Sequence, residues 1–331
     1  MAYQTKMLFR TSLQDIGDMS GHGSYCSSPD MIVHSLVKNP QSEFGANYDK
    51  DPNEKVDTSS RANTIYTRVK SMQESSGATT GYIRLYRASM SLFMNTDQWK
   101  NNKLRTSDGK EYVIVTSTEN GEIAVGDGVL VVDGTKPHFC MVGIVNDSEQ
   151  ETLPNRFSSY DDFVMWVHSE RCVAVRNFSL QNSGQKYDYE SLYYFTNPES
   201  RARLGTILVE ASGLPKRTVF GLVNKDIGMD KWTEFDPDNP AKRQVTDSAF
   251  LEEGFDGYVK IYARLPQGQV WPASASLVTT FWISADEKEK MLQFARPVHQ
   301  VLLNRSAFES LDKSNGNGRL VKVGFCETLY I

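Results

Sequence analysis

The sequence predicts a mainly β chain built from two tandem β-sandwich domains with a few short helices. Short runs of alternating apolar and polar residues recur along it, and the turn dipeptides Asn120-Gly121 and Asp133-Gly134 separate some of them. The run 63–69, for example, puts Ile65 and Thr67 on the same side of a strand. A chain of 331 residues is too long for one ordinary sandwich and suits two.

The same alternation predicts strands throughout both halves of the chain. They are expected at 82–86, 112–116, 129–133, 139–145, 191–196, 205–210, 219–223, 258–264, 277–283 and 320–331. Helices are expected at 158–168 and 284–295. Each of these begins with serine, carries acidic residues early and has apolar residues later, as an N-terminal cap and an amphipathic helix require. Trp99, Phe139 and Ile144 are expected in the core.

A polar stretch that contains glycine, 181–188, marks the expected boundary between domains 1–182 and 187–331. Within the second half, the segment 228–257 is rich in Asp, Glu and Pro. Its DPDNP tract, Asp236–Pro240, cannot form a central strand because proline lacks the N–H donor. We therefore expect a long surface loop here, the kind of segment where binding sites concentrate.

Bulk composition excludes several classes of function. Hydrophobic residues make up 39% of the chain, which supports packed cores rather than disorder. A net charge of -5 and a pI near 5.7 argue against nucleic-acid binding and against attraction to anionic lipid. The first residues lack an apolar signal region, and no apolar run is long enough to cross a membrane. We expect a cytoplasmic product whose export, if any, uses a route without a signal peptide.

A set of strings in the first half resembles a known family. SSPDMIV is followed by NTIYTRVKS, then LYRAS with Trp99, then KPHFCMVGIV and VAVRNFSL. The set resembles bacterial immunoglobulin-like modules related to the CARDB and fibronectin type III sandwiches, although Ser71 stands where those modules have Asn. The resemblance covers about residues 7–180 and implies an immunoglobulin-like fold for that half. The second half is assigned to that fold by analogy.

The resemblance also implies a functional setting. Leaderless proteins of this pattern are similar to uncharacterised proteins associated with bacterial toxin or secretion gene clusters. That association implies an accessory, virulence-related role through protein contacts, and the same sandwich fold hosts many unrelated functions.

Motifs of catalysis are absent from the sequence. It contains no GxSxG, HExxH, Walker or GxGxxG motif. His138 and Cys140 share a strand face, but their apolar run favours packed side chains over a catalytic pair. We expect a non-catalytic binding or assembly protein without a cofactor, and with a protein as its partner.

The expected binding residues lie in the acidic loop. Trp232 and Phe235 stand there among charged residues, beside Asp236 and Asp238. Aromatic residues in such surroundings are typical of contact surfaces; the alternative is that they fold back and cap the second sandwich. A carbohydrate is the alternative ligand. Carbohydrate binding would require aromatic residues of the second half to form a stacking platform. The candidates are Trp232, Trp271, Trp282, Tyr193, Tyr194 and Tyr258.

A second acidic segment offers oxygen ligands for calcium through Asp49, Asp51, Asn53 and Asp57. An EF-hand loop that starts at Asp49 fails, because its sixth and twelfth positions hold Glu54 and Ser60 instead of Gly and Glu. A looser metal site and a solvated polar loop remain as alternatives.

Overall fold

The computed structural model of the chain describes residues 5–18, 25–53, 62–74, 77–88, 96–127, 130–133, 138–181, 188–301 and 318–330. The chain divides into two compact units. The first comprises Met1–Phe157 and Asp162–Asn177, and the second comprises Ser158–Asp161 and Phe178–Ile331. The sequence-based domains 1–182 and 187–331 remain a prediction, and residues 182–187 lie outside the described ranges.

The first unit holds the earlier strands and three of the helices. Its strands are β1 Met7–Leu8, β2 Met31–His34, β3 Ala62–Ser71, β4 Thr79–Ala88, β5 Arg105–Thr106, β6 Val113–Ser117, β7 Ile123–Val125, β8 Leu130–Asp133, β9 His138–Asn146 and the start of β10 Val173–Gln181. Its helices are α1 Pro40–Ala46, α2 Thr96–Lys100 and α3 Tyr160–Ser169, although Tyr160 and Asp161 group with the second unit.

Strand β3 organises one sheet of the first unit. It pairs antiparallel with β1, β2, β7 and β8, and β5 continues the sheet from β8. In the other sheet β4 lies between β6 and β9, and β10 follows β9. Alternation places Ile83 and Leu85 of β4 in the core with Val113 and Val115 of β6.

The core of the first unit confirms two of its expected members. Trp99 and Ile144 are fully buried, whereas the side chain of Phe139 lies outside the described residues. The Trp99 ring packs 6.1 Å from that of Tyr86 and 5.8 Å from that of Trp166, centroid to centroid. An aromatic cluster therefore joins α2, β4 and α3.

The second unit contains the later strands and short helices. They are β11 Tyr189–Thr196, β12 Arg203–Ser212, β13 Val219–Asn224, β14 Met229–Glu234, β15 Gln244–Leu251, β16 Asp256–Arg264, β17 Ser276–Ser284, β18 Arg296–Pro297, β19 Arg319–Tyr330 and α4 Val298–Val301, with 3-10 turns at Lys225–Ile227, Pro240–Lys242 and Lys290–Phe294.

Two sheets form the sandwich of the second unit. In one, β12 lies between β15 and β17, β17 pairs with β19, and the end of β10 pairs parallel with β19. The other has the order β11-β16-β13-β14 and is antiparallel throughout. Their inner faces meet where Tyr193 and Phe195 pack against Phe281, with ring centroids 5.9 and 5.5 Å apart.

The predicted fold class is confirmed. The chain is mainly β, its mainly antiparallel sheets form β-sandwiches, and its helices are short. Helix 158–168 is also confirmed, as α3. Within the described ranges, none of the helices has the length and apolar character needed to cross a bilayer.

The helix expected at 284–295 is a wrong prediction. Strand β17 continues to Ser284, and only a 3-10 turn forms at Lys290–Phe294. The early acidic residue Glu289 accepts a hydrogen bond from the Nη1 atom of the buried Arg203 at 2.9 Å. Arg203 Nη1 also donates to the Ser284 carbonyl at 2.8 Å. Tertiary ion pairing therefore uses one of the early acidic residues that the sequence pattern assigned to a helix.

Candidate functional site

The segment 228–257 is not a long loop, which corrects the sequence-based expectation. It contains β14, a 3-10 turn at Pro240–Lys242 and β15. Only the DPDNP tract and its neighbours connect the two strands, which belong to different sheets. The error has a physical reason: β14 is an edge strand whose outward residues are charged or aromatic, so the strand shows little apolar alternation.

The four expected binding residues occupy three different environments. Trp232 lies on β14 with 62% of its surface exposed. Phe235 is 3% exposed, and its ring packs 6.5 Å from that of Phe220. Asp236 and Asp238 both pair with Lys216, at 3.1 and 3.0 Å. Of the two aromatic residues, Trp232 is therefore open to a partner, and Phe235 belongs to the core.

Trp232 belongs to an outer sheet face that the sequence did not reveal. Across the strands, Trp232 lies opposite Gly221 of β13, Gly221 opposite Tyr262 of β16, and Tyr262 opposite Glu190 of β11. Strands in a sheet are about 4.8 Å apart, so the Cα atoms of Trp232 and Tyr262 are separated by roughly 10 Å. Two aromatic side chains thus flank a glycine on one side of the sheet.

Gly221 allows β14 to pack closely against β13 between these aromatic residues. A Cβ atom at position 221 would overlap the carbonyl oxygen of Lys231 and lie 2.8 Å from the Cβ of Trp232, which is closer than real Cβ atoms approach their neighbours. Any side chain here would displace Trp232 or the β14 backbone. No side chain of β13 therefore stands between Trp232 and Tyr262 at this point of the sheet.

Further apolar side chains extend this surface. Leu192 on β11 and Tyr258 on β16 are each 58% exposed, and the partly buried Val219 and Val223 lie on β13. The register places Leu192 opposite Lys260 and Val223 on the other side of Lys260. We call this surface the outer face; it comprises Asp188, Glu190, Leu192, Val219, Gly221, Val223, Asp230, Trp232, Glu234, Tyr258, Lys260, Tyr262 and Arg264.

Charges on the outer face are distributed unevenly. Lys260 pairs with Glu190 at 3.3 Å and Arg264 pairs with Asp188 at 3.3 Å, so both cations of β16 bond to carboxylates on or beside β11. The guanidinium of Arg264 also lies 6.0 Å from the ring centroid of Tyr262. Burial raises the pKa of Tyr262, and the negative charge of Asp230 raises it further.

The two carboxylates beside Trp232 differ in their surroundings from Glu190 and Asp188, which pair with cations. Asp230 and Glu234 alternate with Trp232 along β14 and share its side of the strand. Among the described residues, neither carboxylate lies within 4 Å of a cationic side chain. The β14 edge of the outer face is therefore aromatic and acidic.

Three of the other aromatic residues considered for carbohydrate binding lie inside the second unit. Trp271, Trp282 and Tyr193 are buried. The side chain of Tyr194 lies outside the described residues. Of the expected platform, Trp232 and Tyr258 are exposed.

Two of the four residues considered as metal ligands, Asp51 and Asn53, are engaged in other contacts. Asp51 accepts from both terminal nitrogens of Arg176, at 3.1 and 2.9 Å, and Asn53 accepts from the Val33 amide at 2.8 Å. Burial opposes ionisation of Asp51, but the charge of Arg176 and hydrogen bonds from Arg176 and Asn53 hold its pKa below the ordinary value. Asp49 is exposed, and Asp57 lies outside the described residues. No group of three or more His, Cys, Asp or Glu suited to a metal occurs within the described ranges.

A buried ion cluster in the first unit has a structural role. Asp30 bonds to Arg10 at 2.6 Å and to Arg68 at 2.8 Å. Arg68 also donates to the Phe44 and Lys50 carbonyls at 2.8 and 2.7 Å. These bonds tie β3 to the segment around α1.

The side chains of the His138 and Cys140 pair lie outside the described residues.

Comparison with known proteins identifies no family. No family model matches the chain, and no curated protein matches it. Among solved structures, CBD12 from CALX1.2 is 9% identical, with a TM-score of 0.20, and the match covers 81% of this chain and 93% of that one. A two-domain protein with unknown function from Bacteroides fragilis is 7% identical (TM-score 0.21; 70% and 93% covered). Red sea bream transglutaminase is 8% identical (TM-score 0.17; 67% and 27% covered).

Proposed function

We propose that the protein is a non-catalytic binding protein and that the outer face is its contact surface. The observation that carries the proposal is the exposure of Trp232 beside Gly221 and Tyr262. Tryptophan and tyrosine are the residues that dominate the energetics of protein interfaces, especially where they cluster near the centre of a patch. On this face Trp232 and Tyr262 lie near the exposed Leu192 and Tyr258. Together these residues form a larger apolar surface than scattered single residues would.

A protein partner is favoured over a carbohydrate. The carbohydrate alternative depended on several tryptophans, and Trp271 and Trp282 are buried. Trp232 remains, on a face that carries ionised groups of both signs as well as aliphatic Leu192 and Val223. A mixture of aromatic, aliphatic and charged groups is typical of a protein interface.

The resemblance of the first half suggests a biological setting for this contact, a bacterial toxin or secretion system. An accessory component of a bacterial toxin or secretion system would use such a contact to assemble with another protein. The support for that setting is the resemblance of the first half to CARDB-like and fibronectin type III-like modules, and the outer face lies in the second unit. Contact with a protein is therefore the part of the proposal that the geometry supports.

Site-specific photo-crosslinking tests the proposal. A photoreactive amino acid would replace Leu192 on the outer face, and in a matched control it would replace the exposed Glu253, which lies in the turn between β15 and β16. In extracts of the cells that make the protein, we expect a discrete adduct from position 192 that weakens when Trp232 is also changed to alanine. Equal adducts from both positions, or an adduct indifferent to Trp232, would contradict the proposal.

A further inference from the structure

We infer that the β14 edge of the outer face receives a segment of the partner that carries lysine or arginine side chains. This inference rests on the proposed function and specifies the chemistry of the partner. The site consists of Trp232 with Asp230 and Glu234 on the same side of β14, and of the neighbouring position Gly221, which carries no side chain.

The distribution of cations on the outer face supports a cationic partner. Lys260 and Arg264 each bond at 3.3 Å to a carboxylate at the β11 edge, Glu190 and Asp188 respectively. Neither pairs with Asp230 or Glu234. Lys231 of β14 alternates to the opposite side of the strand. The β14 edge thus presents two negative charges for which the described part of this face supplies no cation.

The face itself shows how such a cation is held. Arg264 lies over the ring of Tyr262 and pairs with Asp188, so an aromatic ring and a carboxylate share one guanidinium. Trp232 with its flanking carboxylates repeats this arrangement without a cation. Tryptophan is the aromatic residue that attracts cations most strongly, and arginine is the cation found most often over such rings.

The geometry favours a segment lying across the face over a strand added to the edge. The amide of Asp230 donates to Oδ2 of Asp247 at 3.1 Å, so that edge donor is already occupied. Residues two apart on a strand are separated by about 6.6 Å, which places both carboxylates within reach of a long side chain stacked on Trp232. Because Gly221 has no side chain, the partner's backbone can approach between Trp232 and Tyr262.

Titration of the whole 331-residue chain with defined peptides tests the inference. The probes are a peptide of alternating arginine and serine, its glutamate–serine counterpart and a neutral glucose oligosaccharide. Binding is followed by NMR through the Trp232 indole N–H and the backbone amides of β13, β14 and β16. We expect the arginine peptide to shift these signals, and to do so less at higher ionic strength.

Charge-matched variants separate local recognition from net charge. Asp230→Asn with Glu234→Gln should weaken binding of the arginine peptide by about tenfold, since two exposed ion pairs are lost. Glu252→Gln with Glu253→Gln changes the net charge equally at exposed positions away from the face, and should leave the affinity within about twofold. Trp232→Leu should weaken binding with both carboxylates intact, which provides a second variant should the first fold poorly.

Three results would overturn the inference. The first is that the arginine peptide leaves the Trp232 signal unchanged. The second is that the Asp230/Glu234 variant binds this peptide as tightly as the wild type does. The third is that the glutamate peptide binds as tightly as the arginine peptide. If the oligosaccharide alone shifts the Trp232 signals, the ligand is a carbohydrate. If crosslinking at position 192 still depends on Trp232 while the arginine peptide fails to bind, the outer face remains the contact surface and its partner is not cationic.

Discussion

Replacing Asp30 by asparagine removes the one negative charge at the centre of the buried cluster while keeping the shape of the side chain. The carboxylate accepts from the Arg10 amide at 3.1 Å, from Arg10 Nε and Nη2 at 2.9 and 2.6 Å, and from Arg68 Nε at 2.8 Å. Asp30 and Arg68 are fully buried, and Arg10 nearly so. The substitution leaves two buried guanidinium groups without their counter-charge.

The expected loss of stability follows from this burial. Breaking a buried ion pair by removing one partner costs about 3–5 kcal/mol, because the remaining charge is uncompensated. The carbonyls of Phe44 and Lys50 still accept from Arg68, which places the expected loss nearer the lower value. The exposed Asp49 is the matched control, and Asp49→Asn should change stability by less than about 0.5 kcal/mol.

Urea unfolding followed by circular dichroism measures the effect. With a slope m of about 2 kcal/mol/M, the midpoint of the transition that reports the first unit should fall by roughly 1.5–2.5 M, and m should stay unchanged. A fall no larger than that of the Asp49 variant would refute the reasoning. It would mean that the Arg10 and Arg68 charges are compensated by other groups.

Three further predictions concern both units. Burial lowers the pKa of His168 to about 4, below the ordinary 6.5, so the free energy of unfolding should fall as pH decreases from 6.5 to 4. In urea titrations, His168→Gln should flatten this pH dependence. A pH dependence equal to that of the wild type would contradict the prediction. Trp99→Ala should cost about 3–5 kcal/mol, because a large aromatic residue leaves a cavity beside Tyr86 and Trp166; a melting temperature equal to that of the wild type would contradict it. Gly221→Ala should cost about 1–3 kcal/mol by crowding the Lys231 carbonyl and Trp232, and urea unfolding checks it. A neutral effect would show that β14 moves freely.

Strands were predictable where both periodicity and turn residues mark them. Strand β12 has six consecutive buried residues after Arg203, and β17 is apolar along most of its length, so the runs 205–210 and 277–283 identified both. Strand β14 was missed because an edge strand buries few side chains: Met229 is buried, and the residues after it are exposed or partly exposed. Local pattern therefore finds interior strands more readily than edge strands.

The outer face could not be predicted from the sequence because it is assembled by register. Trp232, Gly221 and Tyr262 are separated by many residues along the chain and meet only because β13 lies between β14 and β16. The sequence singled out Trp232 through its charged neighbours, of which Asp230 and Glu234 are outward residues of β14. It grouped Phe235 with Trp232, although a shift of three residues moves the side chain from the outer face to the core.

Comparison of Trp232→Ala with Phe235→Ala tests most directly whether the outer face is the contact surface. Partner capture by the crosslinker at position 192 and the melting temperature would be measured on the same preparations. We predict that Trp232→Ala weakens the adduct with the melting temperature nearly unchanged, since the side chain is 62% exposed. Phe235→Ala should lower the melting temperature clearly, because its ring is buried. The outer face is not the contact surface if Trp232→Ala captures the partner as well as the wild type does, or if it unfolds as early as Phe235→Ala.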